Sequence, residues 1–207
     1  MHFHMWQTRQ EFTTLCDEIK QSGTLPLYLG FKDTWTCLAP WNALAVGLTD
    51  SDTCNQVNMG NTTFSDTYGP VAEKMRALLD YAEKNPYAYG YNDACTAFAR
   101  RESAMYPIGS YAIPQIKSVN PDMNIGSFTF PANDEESDNV LNSGIDFQDH
   151  HYPSEMSVDA MVQTFLLDTS DNAQEKLLKK FDSDWKRYNR DLIRKVQDYQ
   201  KEKEEQL

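Results

Sequence analysis

Ala97-Phe-Ala-Arg-Arg-Glu-Ser-Ala-Met-Tyr-Pro-Ile-Gly-Ser-Tyr-Ala112 is the stretch on which the reading of the fold turns. Its first residues close an apolar-periodic segment, and the spacing predicts a helix over Asn92 to Arg101 with Asn92 or Asp93 as its cap. Ser103-Ala-Met-Tyr106 then reads as a short strand that ends at Pro107. From the corner Pro107-Ile-Gly-Ser-Tyr111 a new helix runs to Lys117. Helix, strand, tight turn and helix in succession predict an α/β layer arrangement.

Working back from this junction, Val71 to Lys84 is predicted as a helix with Met75, Leu78, Leu79 and Ala82 on one side, stopped by Asn85-Pro86. Asp50 to Asp66, rich in Asn, Thr, Ser and Gly, reads as a long polar loop. Leu38 to Leu48 is an Ala- and Leu-rich helix that tolerates Pro40 in its first turn. Pro26-Leu-Tyr-Leu-Gly-Phe31 suits a strand. Before it, Phe12, Leu15, Cys16 and Ile19 have helical spacing, with Thr8 as N-cap, Glu11 completing a capping box and Gly23 as terminator.

Working forward, Ile125 to Phe130 alternates as a strand closed by Pro131, Asp134 to Asp138 reads as an acidic loop, and Val140 to Asp146 is open to one more strand. Gln148-Asp-His-His-Tyr-Pro153 is a polar connector. Beyond it, Leu177, Phe181, Trp185, Tyr188, Leu192, Val196 and Tyr199 advance by four or three, which predicts one long helix with a single buried stripe.

Composition narrows the function. The 207 residues carry 19 Lys and Arg against 31 Asp and Glu, a formal charge of −12, which disfavours nucleic acid and anionic lipid as partners. Neutral ligands remain open. Aromatic residues make up 12% of the chain, and several stand beside Gly, Pro, Asn or Asp, where rings can sit at loop ends. Cys16, Cys37, Cys54 and Cys95 are widely separated with no CxxC pair, so free buried thiols are expected rather than a zinc site or a disulfide framework. No apolar run is long enough to span a membrane. Met1 to Trp6 lacks the basic flank and apolar stretch of a secretory signal.

Three stretches in this order resemble the second half of the extracellular solute-binding proteins of sugar ABC importers, the family that includes the maltodextrin-binding protein. They are Gly30-Phe-Lys-Asp-Thr-Trp-Thr36 with Trp41-Asn-Ala-Leu-Ala45 behind it, the run Ala97 to Ala112, and Ile125-Gly-Ser-Phe-Thr-Phe-Pro131 leading to Asn142-Ser-Gly-Ile-Asp146. Val158 to Trp185 is similar to the family's closing helices. Arg101 stands where the family usually has Gly, so the turn before that strand is expected to differ. The resemblance implies a three-layer α/β lobe of the periplasmic-binding-protein type II kind over residues 1–147, a linker at 148–153 and a helical C-terminal segment at 154–207. The first lobe and its lipoprotein signal find no counterpart, and the chain is expected to be a truncated copy that binds sugar weakly or not at all by itself.

The same resemblance implies a binding module with a carbohydrate ligand and ABC permease partners, at an extracellular or cell-surface location, with no catalytic residues, cofactor or metal. Sugars present apolar C–H faces ringed by hydroxyls, so a site for them needs flat aromatic platforms and convergent polar groups. Tyr111, after Gly109 and Ser110 at a helix start, takes the position of the family's stacking ring; on its residues alone it reads rather as a core residue of that helix. Trp35 and Asp33 supply a second ring and a carboxylate acceptor, Trp41 a further contact or a core residue, and Asp146 a strand-end carboxylate or an ordinary turn former.

Other chemistries find less support. Asp149-His150-His151, with His2 and His4, can be drawn as a metal-dependent hydrolase cluster, yet the carboxylates such a site needs on strand ends are missing, and a solvated connector is the plainer reading. Asp182 and Asp184 read as a helix-start charge pair. No nucleophile elbow, phosphate loop or dinucleotide fingerprint occurs. The competing function is a structural protein that self-associates through an exposed lobe face.

Overall fold

A computed structural model describes residues 8–135 and 152–204. The chain enters through α1 (Arg9–Gln21), whose predicted capping box forms: the Thr8 hydroxyl accepts from the Glu11 amide at 3.2 Å and the Glu11 carboxylate accepts from the Thr8 amide at 3.2 Å. Gly23, at φ +83°, reverses the chain into β1 (Leu25–Leu27). This strand is shorter than the sequence suggested. Beyond Leu27 the amides of Leu29 and Gly30 donate to the Glu83 carboxylate, and those of Phe31 and Lys32 donate to the carbonyls of Pro86 and Tyr89. Loop acceptors thus replace a ladder partner.

α2 (Leu38–Leu48) follows as predicted. The segment read as a long loop instead contains α3 (Thr53–Met59), because Thr53, Cys54, Val57 and Asn58 turn inward and Gly60 closes the helix at φ +82°. Its polar composition hid that buried side. α4 (Phe64–Thr67) is capped twice, by the Thr63 hydroxyl and, from far along the chain, by Asp182, whose carboxylate accepts from the Phe64 amide at 2.7 Å. Asp182 therefore caps another helix and does not begin its own, while Asp184 pairs with Lys180. α5 (Gly69–Ala77) leads into a 3-10 turn at Leu78–Tyr81, short of the predicted end.

α6 (Tyr91–Ala99) ends in a Schellman arrangement, with Arg101 N donating to Phe98 O and Glu102 N to Ala97 O. The turn expected to differ for want of glycine is built nonetheless, with Arg101 held at φ +62°. β2 (Ser103–Met105) then pairs parallel to β1, Leu25 opposite Ser103 and Leu27 opposite Met105, and the corner leads through a 3-10 turn at Ser110–Ala112 into α7 (Ile113–Val119).

Among the described residues the sheet has these two strands alone. Ile125 to Phe130 forms no strand. Its alternation reflects one-sided packing of an extended chain: Phe128 and Phe130 lie against the main core, and Phe130 meets the Phe12 ring edge-on at 5.3 Å. The expected strand at Val140 to Asp146 lies outside the described residues.

After the connector come α8 (Val158–Leu167), α9 (Ala173–Tyr188) and α10 (Arg190–Glu204). The single long helix is in fact two, broken at Asn189, so the stripe divides: Leu177, Phe181 and Trp185 are buried, whereas Tyr188, Leu192 and Tyr199 are exposed. α10 turns back to α3, where Gln197 reaches the Asn58 carbonyl. One core joins residues from Phe12 to Trp185, with Trp41 and Phe181 stacked at its centre. Cys16, Cys37, Cys54 and Cys95 are free and buried, and burial pushes the Cys16 and Cys37 thiols up to about 12, so they are neutral and unreactive at ordinary pH. No described helix is long and apolar enough to cross a membrane.

Candidate ligand-binding site

Trp35 sits on the 3-10 turn Thr34–Cys37, and the residues around it are tied down. Asp33 Oδ2 accepts from the Tyr91 amide at 2.8 Å at the start of α6. The Thr34 hydroxyl donates to Asp159 on α8, and the Thr36 hydroxyl is shared between the carbonyls of Gly30 and Asp33. Such anchoring holds an exposed ring at a fixed angle before any ligand arrives.

Tyr111 occupies the 3-10 turn that opens α7. It is 56% exposed, so the reading of it as a core residue is set aside. Gly109 leaves the space for this placement of the ring. A Cβ at that position would lie 2.2 Å from Tyr111 Cε1, so glycine lets the ring fold down over the backbone. Trp35 and Tyr111 face each other at 6.2 Å between ring centroids, tilted by 46°. A third ring, not singled out in the sequence, joins them: Tyr91 lies 5.1 Å from Trp35 at 49°. The aromatic-rich run Tyr87-Ala-Tyr-Gly-Tyr91 beside a glycine was the available signal.

Trp35, Gly109, Ser110 and Tyr111 line one groove of about 800 Å³. Its walls continue along Leu38 and Asn42 of α2 and along Tyr106. Burial pushes the phenols of Tyr91, Tyr106 and Tyr111 above their ordinary value, so all three are neutral hydroxyls at ordinary pH. Asp33 stands behind the rings and is not part of the groove wall. One of its oxygens is engaged by the Tyr91 amide, and a side chain at Gly90 would collide with it at 2.5 Å.

Trp41 is a correction. It has no exposed surface, stacking on Phe181 at 5.6 Å and 20° and meeting Tyr68 at 6.1 Å, and it is a core residue without access to the groove. Asp146 lies outside the described residues, as do His2, His4, Asp149, His150 and His151. Among the described residues no group of three or more His, Cys, Asp or Glu side chains is placed to hold a metal ion.

No protein-family model matches the chain. The fold is that of solute-binding proteins: RafE, a solute-binding protein solved in complex with raffinose, superposes with a TM-score of 0.53 at 27% identity, covering 65% of this chain and 37% of RafE. Apo RafE from Streptococcus pneumoniae gives a TM-score of 0.61 over 85% of this chain and 63% of its own, and at 18% identity speaks for the fold alone. In sequence, the multiple sugar-binding protein of Streptococcus mutans is 31% identical over 134 residues, which take in 60% of this chain and 32% of that protein. This chain is thus a partial relative of the sugar solute-binding proteins, and it spans about a third of the length of the Streptococcus mutans relative.

Proposed function

We propose that this chain is a carbohydrate-binding module of the kind that serves ABC importers, holding a mono- or oligosaccharide by ring stacking and hydrogen bonds without chemical change. The observation that carries this reading is the pairing of Trp35 and Tyr111 on the wall of one groove, two flat apolar faces held in advance for the C–H faces of a sugar. Ser110 and the backbone at Gly109 offer polar contacts at the rim, and Asp33 acts by fixing the turn through the Tyr91 amide. Residues 1–147 act as a three-layer lobe of the type II kind, 148–153 as its linker and 154–207 as a helical closing segment, with delivery to permease subunits at an extracellular or cell-surface location.

Binding is expected in the millimolar range, because one wall of contacts must offset the whole cost of association. Raffinose is the first probe, since a related structure holds it. Saturation-transfer NMR with raffinose and a panel of mono- and oligosaccharides should give a saturable signal from at least one of them. A panel without any response removes the sugar reading.

A second reading is self-association through the same face, favoured by the exposure there of Trp35 and Tyr111 at 41% and 56%. Light scattering over a range of concentration tests it, and a monomer throughout counts against it.

A further inference from the structure

Trp35 and Tyr111 rise from two different packed clusters. The turn that carries Trp35 is rooted in the main core through Cys37, whereas the turn that carries Tyr111 is rooted through Ala112 in a smaller cluster with Cys95, Ala99, Ile116 and Met123. Neither cluster by itself fixes how far apart the two rings stand or at what tilt. That geometry depends on what joins the clusters beside the platform. Tyr91 makes such a join. Its ring is half-buried against the smaller cluster and at the same time lies 5.1 Å from Trp35, tilted by 49°. Its amide donates at 2.8 Å to the carboxylate of Asp33, the residue that precedes the Trp35 turn. A backbone N–H bound to a charged acceptor is among the stronger hydrogen bonds. The start of α6 is fixed again one residue earlier, where the Gly90 amide donates to Asp93 Oδ2 at 3.1 Å.

Tyr91 is not on the groove wall that Trp35 and Tyr111 share, so its effect on a ligand passes through Trp35. We infer that Tyr91 is the positioning residue of this site: its ring holds the Trp35 indole at the distance and tilt from Tyr111 at which both faces meet one saccharide. This rests on the sugar-binding reading and adds to it what keeps the platform in shape before the ligand arrives. Tilted aromatic pairs attract one another beyond the area they bury, which gives the Tyr91 ring a hold on the indole that an alkyl side chain lacks. An indole free to turn would have to be ordered by the sugar, and that cost appears as lost affinity.

The variants that test this are Tyr91→Leu, which keeps apolar bulk on the smaller cluster and removes the ring, and Tyr91→Phe, which keeps the ring. Each is made in the full chain and read in two ways, by the tryptophan indole N–H resonances without sugar and by NMR titration with raffinose. Tyr91→Leu should shift and broaden the Trp35 resonance, leave those of Trp41 and Trp185 in place, and weaken raffinose binding by about threefold to tenfold. Tyr91→Phe should restore both the Trp35 signal and the affinity. A Tyr91→Leu variant whose Trp35 signal and raffinose affinity match the wild type overturns the inference, as does one that disturbs Trp41 and Trp185 equally, which assigns Tyr91 to general packing. A disturbed Trp35 signal with unchanged affinity also overturns it. In these three cases wild-type binding persists and the sugar reading stands. A wild type that binds neither raffinose nor any other saccharide overturns both.

Discussion

Trp35 and Tyr111 meet at 6.2 Å between ring centroids although neither belongs to an α-helix or a strand; each sits on a single 3-10 turn that rigid elements flank. Their exposure means that the fold gains little from either ring. Replacing one by alanine should change stability by no more than about 0.5 kcal/mol. Sugar affinity should fall by about 1 kcal/mol, roughly fivefold, for each ring removed. Paired melting curves and raffinose titrations of Trp35→Ala and Tyr111→Ala check this. Lost stability with retained binding would mark the rings as packing residues.

Trp41 should behave in the opposite manner. It is sealed between Tyr68 and Phe181, and Trp41→Ala opens a cavity where α2 meets α9. The expected loss is about 3–5 kcal/mol, a large share of a typical domain's stability. Denaturant unfolding measures it, and a loss below about 1 kcal/mol would contradict the burial described above.

The contrast between these two tryptophans shows what the sequence made legible. Local signals with a fixed chemistry read correctly: the Thr8 capping box, the α2 helix with its early proline, the strand at Ser103 and the Gly109 corner. Tertiary effects did not. α3 is a helix because its few inward residues find α10, and β1 ends early because Glu83 offers better acceptors than a neighbouring strand. Trp35 and Trp41 carry the same side chain close together in sequence, and only the packing of α9 decides which is core. Tyr91 left only the weak signal of an aromatic-rich run beside a glycine, since its place next to Trp35 depends on how the start of α6 packs against that turn.

Arg101 at φ +62° gives a stability prediction. The left-handed conformation costs an ordinary residue about 1–2 kcal/mol, of which the greater freedom of an unfolded glycine cancels about 0.5–1 kcal/mol. Arg101→Gly should therefore raise stability by about 0.5–1 kcal/mol, seen as a rise in Tm of about 1–4 °C. A lower Tm would mean that the arginine side chain makes a contact worth more than the strain.

Glu83 sets a pH dependence. Burial pushes its carboxyl above the ordinary value, against the pull of the Gly30 and Leu29 amides. A raised pKa in the folded state means that folding favours the protonated form. Its stabilisation is complete below the unfolded value near about 4.3 and fades as pH rises through the folded value. Glu83→Gln removes that titration, at a pH-independent cost of one acceptor. The stability of wild type relative to Glu83→Gln should thus decline as pH rises above about 4.3. A difference that grows with pH would mean that the native fold favours the ionised Glu83 carboxylate.

The angle of Trp35 depends on a helix that does not touch the groove. Asp159, in the first turn of α8, accepts the Thr34 hydroxyl, and one turn later Gln163 donates to the carbonyls of Phe31 and Lys32. α8 thereby grips the chain on the approach to Trp35 and at its turn, and a carboxylate acceptor makes the Thr34 bond one of the stronger kind, worth about 1.5–3 kcal/mol when intact. Asp159→Ala should loosen the turn, broaden the indole N–H resonance of Trp35 and weaken raffinose binding by about threefold to tenfold, since a ring no longer held in place must be ordered by the ligand. Asp159→Asn keeps an oxygen in the same place and should restore both the sharp resonance and most of the affinity. A general loss of packing would instead disturb the indole resonances of Trp41 and Trp185 as well. If Asp159→Ala leaves the Trp35 signal and the titration as they are in the wild type, the platform is held by Asp33 and Thr36 alone.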